Sequence, residues 1–257
     1  MKLPNYIKKL KFYFPILILV LFINKINAQE KVDSTRIIRP MPKIVKQQTE
    51  KAEKEWLKLW NEGPVKLVWD KMPLQEGDEA PDFELKNSSN ELIKLSDLWS
   101  EKPMLLIFWR HTGCGCGFAR AAEIRKQYDS ITKMGIQVVT ITQAEPERAA
   151  FYAKEQGLKG QLLSDPDYQV YRAYDLLDGN GPQILGTANI DYSIGKKLQE
   201  DRSGTQRALV DNPWLLPGEF IIDKSGLVQF TYRYNNCDDI PEYWQLEAEL
   251  KAVAEKE

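Results

Sequence analysis

Hydrophobic residues change their spacing segment by segment along this chain, and each spacing predicts a different element. Near the start, Phe12 to Ile23 is an apolar run of about a dozen residues, shorter than the ~20 a membrane-spanning helix needs. From Lys43 to about Asn61 the spacing is helical: Ile44, Val45, Ala52, Trp56, Leu57 and Trp60 recur near a 3.6 period, and Glu62-Gly63-Pro64 stops them. Ala80–Leu85 and Glu91–Leu95 read as short strands joined by the polar turn Asn87–Asn90, a hairpin. Ser96 fits as N-cap of a short helix reaching Trp99. Met104–Trp109 is unbroken apolar sequence of strand length, the mark of a strand buried on both faces. A helix follows to about Met134, with Phe118, Ala121, Ala122, Tyr128 and Ile131 on one face and Gly135 at its end. Ile136–Thr142 and Gln161–Leu163 are further strands, separated by a helix over Pro146–Gln156, and Asp165-Pro166-Asp167 starts another helix at Tyr168. This alternation predicts right-handed βαβ crossovers.

From Asp175 to Trp214 the pattern is lost. Gly179, Gly181, Gly186 and Gly195 interrupt it, and one short helix is expected near Ser193–Glu200. The segment reads as an insertion close to the reactive end of the sheet, either a lid or helical structure that the pattern conceals. Strands at Glu219–Asp223 and Leu227–Tyr234 flank the turn Lys224-Ser225-Gly226, and an amphipathic helix runs from Pro241 to the end. The expected class is therefore α/β, a central mixed sheet flanked by helices, with an N-terminal hairpin and an extra N-terminal helix. The expected organisation is a leader over residues 1–28, an extension over 29–76 and a main domain over 77–257, with the insertion at about 175–214. The 43–61 helix reads equally as packed on the main domain or as an arm for a partner.

Composition narrows the class. A hydrophobic fraction of 43% and a charged fraction of 28% suit a globular protein. The net charge is −2 without a basic run in the body of the chain, so a nucleic-acid role has no electrostatic footprint. Basic residues gather instead at Lys2, Lys8, Lys9 and Lys11, before the first apolar run, and Ile26-Asn27-Ala28 offers a cleavage site. These are the physical requirements of an export signal. The expectation is an exported protein, periplasmic or secreted, with no integral span after cleavage; the alternative is an uncleaved N-terminal anchor facing the periplasm. Removing residues 1–28 takes away five lysines (2, 8, 9, 11, 25) and no acid, leaving 30 basic against 37 acidic residues and a net charge of −7.

Export changes how the three cysteines, Cys114, Cys116 and Cys237, are read. An odd, low count is not a disulfide framework. Cys114 and Cys116 follow the buried strand and open the next helix, where unpaired N–H groups and the helix dipole favour thiolate over thiol. Neighbouring cations add to the effect, lowering a cysteine pKa from ~8.5 into the ~3.5–7.5 range. Arg110 and His111, the sole histidine, are placed to supply that charge, and Gly113, Gly115 and Gly117 to keep the sulfurs accessible. A disulfide between residues one position apart closes a small ring that is strained and easily reduced, which suits exchange better than stapling. Cys237 is expected on the same pole, about two strand spacings away, on the order of 10 Å. That is reachable for a resolving thiol on a mobile segment.

Several of these residues carry a resemblance. Phe108-Trp109, the cysteine motif opening a helix, and Leu216-Pro217-Gly218-Glu219-Phe220-Ile221-Ile222-Asp223 resemble the thioredoxin superfamily. Arg110-His111-Thr112-Gly113-Cys114, Ala80-Pro81-Asp82-Phe83, Leu95-Ser96-Asp97-Leu98 and Ser164-Asp165-Pro166 with Tyr171 are similar to its AhpC/TSA, peroxiredoxin-like branch, over about residues 77–256. The resemblance implies a thioredoxin-like fold and a thiol-dependent oxidoreductase with antioxidant or thiol-disulfide exchange activity and no cofactor. Its partners would be a peroxide or disulfide substrate and a protein or small-molecule thiol reductant. Cys114 is then the attacking thiol, Cys116 its resolving partner, and Arg110, His111 and Thr112 support them. Pro217 takes the superfamily's cis-proline position. Aligned from Trp109 instead, Gly113 falls at the attacking place and Cys116 at the second. Two features depart from the branch. Typical peroxiredoxins have a Thr three residues before the peroxidatic Cys and an Arg where this chain has Pro217; here Thr112 stands two before Cys114. The spacing is Cys-x-Cys rather than Cys-x-x-Cys. Paired thiolates also suit soft ions, so a SCO-like copper chaperone and a non-catalytic partner module are the alternatives.

Overall fold

In the computed structural model, residues 40–186, 193–203, 205 and 207–256 are described. The leader, and most of the extension before the first helix, lie outside the described residues. Among the described residues no helix is long and apolar enough to cross a membrane.

Strand β3 (Met104–Phe108) organises the molecule, because all five of its residues are buried. Its alternation divides the core in two. Met104, Leu106 and Phe108 face one layer with Val139, Tyr171, Tyr174 and Phe220, while Leu105, Ile107 and Trp109 face the other with Ala121, Ile124 and Leu246. A period of two explains why an uninterrupted apolar run is needed here: both faces of the strand are covered.

Around it lies a seven-stranded mixed sheet. The other strands are β1 (Glu84–Asn87), β2 (Leu92–Lys94), β4 (Gln137–Thr142), β5 (Gln161–Ser164), β6 (Gly218–Ile222) and β7 (Val228–Arg233). Their order is β2-β1-β5-β4-β3-β6-β7. Strand β4 is parallel to β3 and β5, whereas β1/β2, β1/β5, β3/β6 and β6/β7 pair antiparallel. The expected mixed sheet with an N-terminal hairpin is present. Its first strand starts later than the sequence suggests. Gly77 and Ala80 spend their N–H groups on Val228 and Gly226 (both 2.8 Å), so residues 77–80 follow the far edge of the sheet, and Pro81 has no N–H to contribute.

The helices are α1 (Lys43–Glu62), α2 (Leu95–Glu101), α3 (Gly115–Lys133), α4 (Pro146–Gln156), α5 (Gln169–Ala173), α6 (Gly181–Leu185), α7 (Ser193–Arg202) and α8 (Tyr243–Ala254). Ser96 does not cap α2. Lys94 holds that position, and the Ser96 N–H donates to Asp82 Oδ1 at 2.9 Å instead. The choice left open for α1 resolves as packing. Trp56 stacks on Trp60 with ring centroids 5.0 Å apart, Trp60 on Trp214 at 4.9 Å, and Trp214 Nε1 donates to the Leu59 carbonyl at 2.7 Å.

The 175–214 segment is not structureless. It contains α6, which opens with an Asn180/Gln183 capping box, and α7. Residues 208–214 beyond α7 are buried as a wall behind the β3–α3 junction. The glycines of that junction do different jobs. A Cβ on Gly113 would collide with the Ala208 carbonyl of the wall, and one on Gly117 would come 3.0 Å from Trp109 Nε1, while one on Gly115 would meet only Arg207 Nη2 at 3.8 Å. Accessibility is thus the role of Gly115 alone; Gly113 and Gly117 are required by close packing. Gly113→Ala is expected to destabilise by about 1–3 kcal/mol, the usual cost of overpacking. Gly115→Ala, by contrast, should be neutral or stabilising by up to about 1 kcal/mol through loss of unfolded-state freedom. Urea unfolding of the two variants checks the contrast, and equal losses would refute it.

Candidate functional site

The end of β3 delivers the chain into α3 through Trp109-Arg110-His111-Thr112-Gly113. Trp109 N–H still donates to Ile141 at 2.8 Å, and the Cys114 N–H donates to the His111 carbonyl at 3.2 Å, a turn that sets Cys114 at the N-cap of α3. Cys114 has extended backbone there (φ −77°, ψ 139°), which points the following N–H groups of the helix toward its end. Cys114 and Cys116 are joined by a disulfide, with Cα atoms 5.4 Å apart. The two sulfurs are unequal in access. Cys114 is half-buried, whereas Cys116 sits in the first turn of α3 with 7% exposure. That inequality favours Cys114 over Cys116 as the sulfur that meets an outside molecule.

Arg110 is the cation at this sulfur. Its Nη1 donates to Cys114 Sγ at 2.9 Å and its Nη2 to the Pro213 carbonyl at 2.6 Å, so one fork joins this sulfur to the wall. Burial lowers the Arg110 pKa, while Cys237 and Asp238 act to raise it; an arginine so placed remains charged at neutral pH. His111 does not share this role. It is buried, and burial together with Arg110, Arg202 and Arg148 holds its imidazole well below the ordinary value. The expected positive charge at His111 is therefore corrected: the ring is neutral. Thr112 is buried too, and its hydroxyl has no hydrogen-bond partner among the described residues.

Pro217 lies where expected and in the other isomer. With Cys116, Trp109, Arg110, Tyr234 and Cys237 it lines a cavity of about 20 Å³, yet none of the described peptide bonds is cis. Leu216 N–H donates to Leu177 (3.0 Å) and Tyr234 N–H to Pro217 (3.2 Å), drawing this stretch into pairing continuous with β6. Trans is also the isomer that an X–Pro bond prefers intrinsically, by about 0.5–1 kcal/mol.

Cys237 is much nearer than strand spacing implies. Its sulfur, the Cys116 sulfur and an Asp238 carboxylate oxygen lie within 4.8 Å of one another. The loop after β7 folds back because Asp239 gathers it. Oδ2 accepts from the Asn235 N–H (2.8 Å) and Nδ2 (3.0 Å), Oδ1 accepts from Tyr232 (2.8 Å), and Cys237 N–H donates to the Gln183 carbonyl of α6 (3.1 Å). Burial pushes the Cys237 thiol up, although Arg110 pulls the other way.

Beneath Cys116 lies a charged cluster that sequence reasoning missed. Arg120 donates twice to Glu219 on β6, through Nε at 2.7 Å and Nη2 at 2.6 Å, and the Tyr234 hydroxyl donates to the same carboxylate at 2.6 Å. Burial alone would lower the Arg120 pKa, but Glu219 overrides it and holds the group above its ordinary value. Arg207 and Asp238 also went unnoticed; Arg207 stands over the Phe118 ring at 5.7 Å. Only the adjacency of Asp238 to Cys237 could have drawn notice to either.

Known proteins share this fold. A family model described as the AhpC/TSA family matches residues 76–231. Over 98 residues the chain is 32% identical to Peroxiredoxin Bcp of Escherichia coli (strain K12), covering 38% of this chain and 62% of that protein. Over 117 residues it is 34% identical to the prostamide/prostaglandin F synthase of Salmo salar, covering 45% of this chain and 55% of that one. The chain thus spans less than two thirds of the length of these curated relatives. The solved structure of peroxidoxin BcpB from Mycobacterium tuberculosis superposes with a TM-score of 0.51 at 20% identity, over 70% of this chain and 98% of that chain, a likeness of fold. With a family model matched across more than half of its length, on a thioredoxin-like fold, the chain belongs to the AhpC/TSA family.

Proposed function

We propose that this chain is an exported thiol-dependent oxidoreductase in which the Cys114 thiolate attacks an electrophilic sulfur or oxygen and Cys116 resolves the adduct. The observation that carries the reading is the half-buried Cys114 sulfur at a helix N-cap, 2.9 Å from the Arg110 guanidinium. In the reduced protein both features favour the anion over the thiol. With a disulfide substrate, Cys114 displaces one substrate thiolate and forms a mixed disulfide. Cys116 then attacks Cys114 Sγ, releases the second thiolate and leaves the Cys114–Cys116 bond. With a peroxide, the Cys114 thiolate attacks one oxygen, the O–O bond breaks and the other oxygen leaves as water or an alcohol; Cys116 then attacks the sulfenic acid at Cys114, forming the disulfide and releasing its oxygen as water.

Each substrate class has its own support. Disulfide exchange asks little beyond an activated thiolate and a nearby second thiol, which suits a site whose threonine hydroxyl is buried and which has Pro217 where typical peroxiredoxins have an arginine. Peroxide is favoured by the similarity to Peroxiredoxin Bcp. Insulin-disulfide reduction measured beside hydrogen peroxide consumption separates the two. Cys114→Ser should abolish whichever activity is found, and full activity in that variant would overturn the attacking-thiol assignment. Alkylation of the reduced protein at pH 6 should modify Cys114 first. Arg110→Gln should slow that reaction roughly tenfold, which corresponds to about one pKa unit.

His111 sharpens the electrostatic side of the proposal. A histidine held neutral in the fold but free to protonate when unfolded makes the unfolded state bind more protons below about pH 6.5. Stability should therefore be complete above that value and fall with acidification toward pH 5, by up to about 1.4 kcal/mol per pH unit. His111→Gln should remove this component. Urea midpoints at pH 7 and pH 5 for both proteins test it, and an unchanged pH slope in the variant would mean that His111 is protonated in place.

Export is the remaining part of the proposal. Amino-terminal sequencing of the protein recovered from its native cell should begin at Gln29. A start at Met1 would favour the anchored alternative.

A further inference from the structure

The cavity between Cys116 and Cys237 is about 20 Å³, close to the volume of one water molecule and too small for a peptide or a small-molecule thiol. Cys116 and Cys237 both line this space, and their sulfurs lie within 4.8 Å of each other and of an Asp238 carboxylate oxygen. One of them, Cys116, is already in a disulfide; the other, Cys237, is free and half-buried. The Asp239 bonds hold the loop that carries Cys237 in place, so the approach belongs to the folded arrangement. Closing the remaining gap to bonding distance asks for side-chain rotation and a small shift of a surface loop.

The surroundings give an exchange here a direction. The better leaving group of a disulfide is the sulfur with the lower thiol pKa. Of the two bonded sulfurs, Cys114 is the one held by the Arg110 guanidinium and the α3 N-terminus, so attack on Cys116 expels a stabilised thiolate. Cys116 is also the buried member of the pair, shielded from outside thiols but open to Cys237 across the cavity.

We infer that Cys237 is an internal exchange thiol that takes over the disulfide by attacking Cys116 Sγ. The Cys237 thiol loses its proton to water, and its sulfur forms a bond to Cys116. The Cys114–Cys116 bond breaks, and its electron pair leaves on Cys114 as a thiolate. One disulfide is consumed and one is made, so no outside oxidant or reductant takes part. Substrate then reacts at Cys114 while the reductant, a small or protein thiol, reacts at half-buried Cys237. The placement of the substrate at Cys114 rests on the function proposed above; the exchange itself does not.

Disulfide mapping tests it without reference to a natural substrate. The reduced full chain is oxidised with one equivalent of diamide, quenched in acid, alkylated with N-ethylmaleimide and digested for peptide mass analysis. A Cys116–Cys237 peptide with alkylated Cys114 is expected in at least a tenth of the oxidised chains. In Cys114→Ser the same treatment should give the Cys116–Cys237 bond as the main product, within one chain. Absence of that bond from the wild-type map overturns the inference, and so does a Cys114→Ser protein that is oxidised only between chains. Should the variant not fold, the wild-type map alone decides. Loss of insulin or peroxide activity in Cys114→Ser is read separately, so failure of the exchange and failure of the attacking-thiol assignment remain distinguishable.

Discussion

One buried guanidinium ties the reactive sulfur to the rest of the molecule. Arg110 leaves the end of the central strand with one nitrogen on Cys114 and another on the Pro213 carbonyl, at 5% exposure. A charge so far from water is costly unless its bonds are made. The site therefore holds together only when the 208–214 wall is seated, because the wall supplies one of those partners. Gln143 strengthens the arrangement from the other side, donating to the Arg110 carbonyl while its own carbonyl accepts from the Asn212 N–H at 3.0 Å. The wall is anchored in turn by Arg148, which donates to both oxygens of buried Asp211. The contact on which the proposed activation of Cys114 rests and the seating of the 208–214 wall thus share one guanidinium.

This dependence explains the otherwise puzzling α1. Its Trp60, itself stacked on Trp56, stacks on Trp214, the residue that ends the wall, and its Leu59 carbonyl accepts from that indole. The extra helix acts on the site at one remove, by backing the segment that Arg110 grips. A lid would lie over the sulfur and be exposed; residues 208–214 lie behind it and are buried. What stays open is the side of Gly115, where a side chain would find only Arg207.

Elements governed by local pattern were legible in the sequence. Strand β3 announces itself by an apolar run that only a doubly covered strand requires. Helix α4 was readable at both ends, because Pro146 starts it and Gly157, in the left-handed region at φ 63°, ends it. The cysteine pair was legible by type and place, at a strand end opening a helix. What escaped was decided by contacts distant in sequence. Strand spacing put Cys237 about 10 Å away on the assumption that the chain runs straight on after β7; the Asp239 bonds turn it back. The charge of His111 depends on burial among three arginines from separate elements, and the residue type alone carries no sign of that. Pro217 is set by the Tyr234 N–H that its carbonyl accepts and by the bond from its neighbour Leu216 to Leu177, neither partner being near it in the chain. Arg120 and Glu219 are 99 residues apart, so no spacing rule could pair them.

The two sulfurs beside Arg110, one in a disulfide and one a free thiol, stand in different relations to the same cation. Cys114 makes a direct 2.9 Å hydrogen bond with the guanidinium and caps a helix, which favours its anion in the reduced protein. Cys237 feels Arg110 only through space, and burial outweighs that attraction, leaving its thiol raised. A raised thiol is a less populated but intrinsically stronger nucleophile, and a lowered one is the better leaving group. Cys116 sits between the two, bonded to one and within 4.8 Å of the other. The contrast between Cys114 and Cys237 follows from where one arginine, one helix end and one small cavity fall, and the direction of the exchange inferred above rests on that contrast.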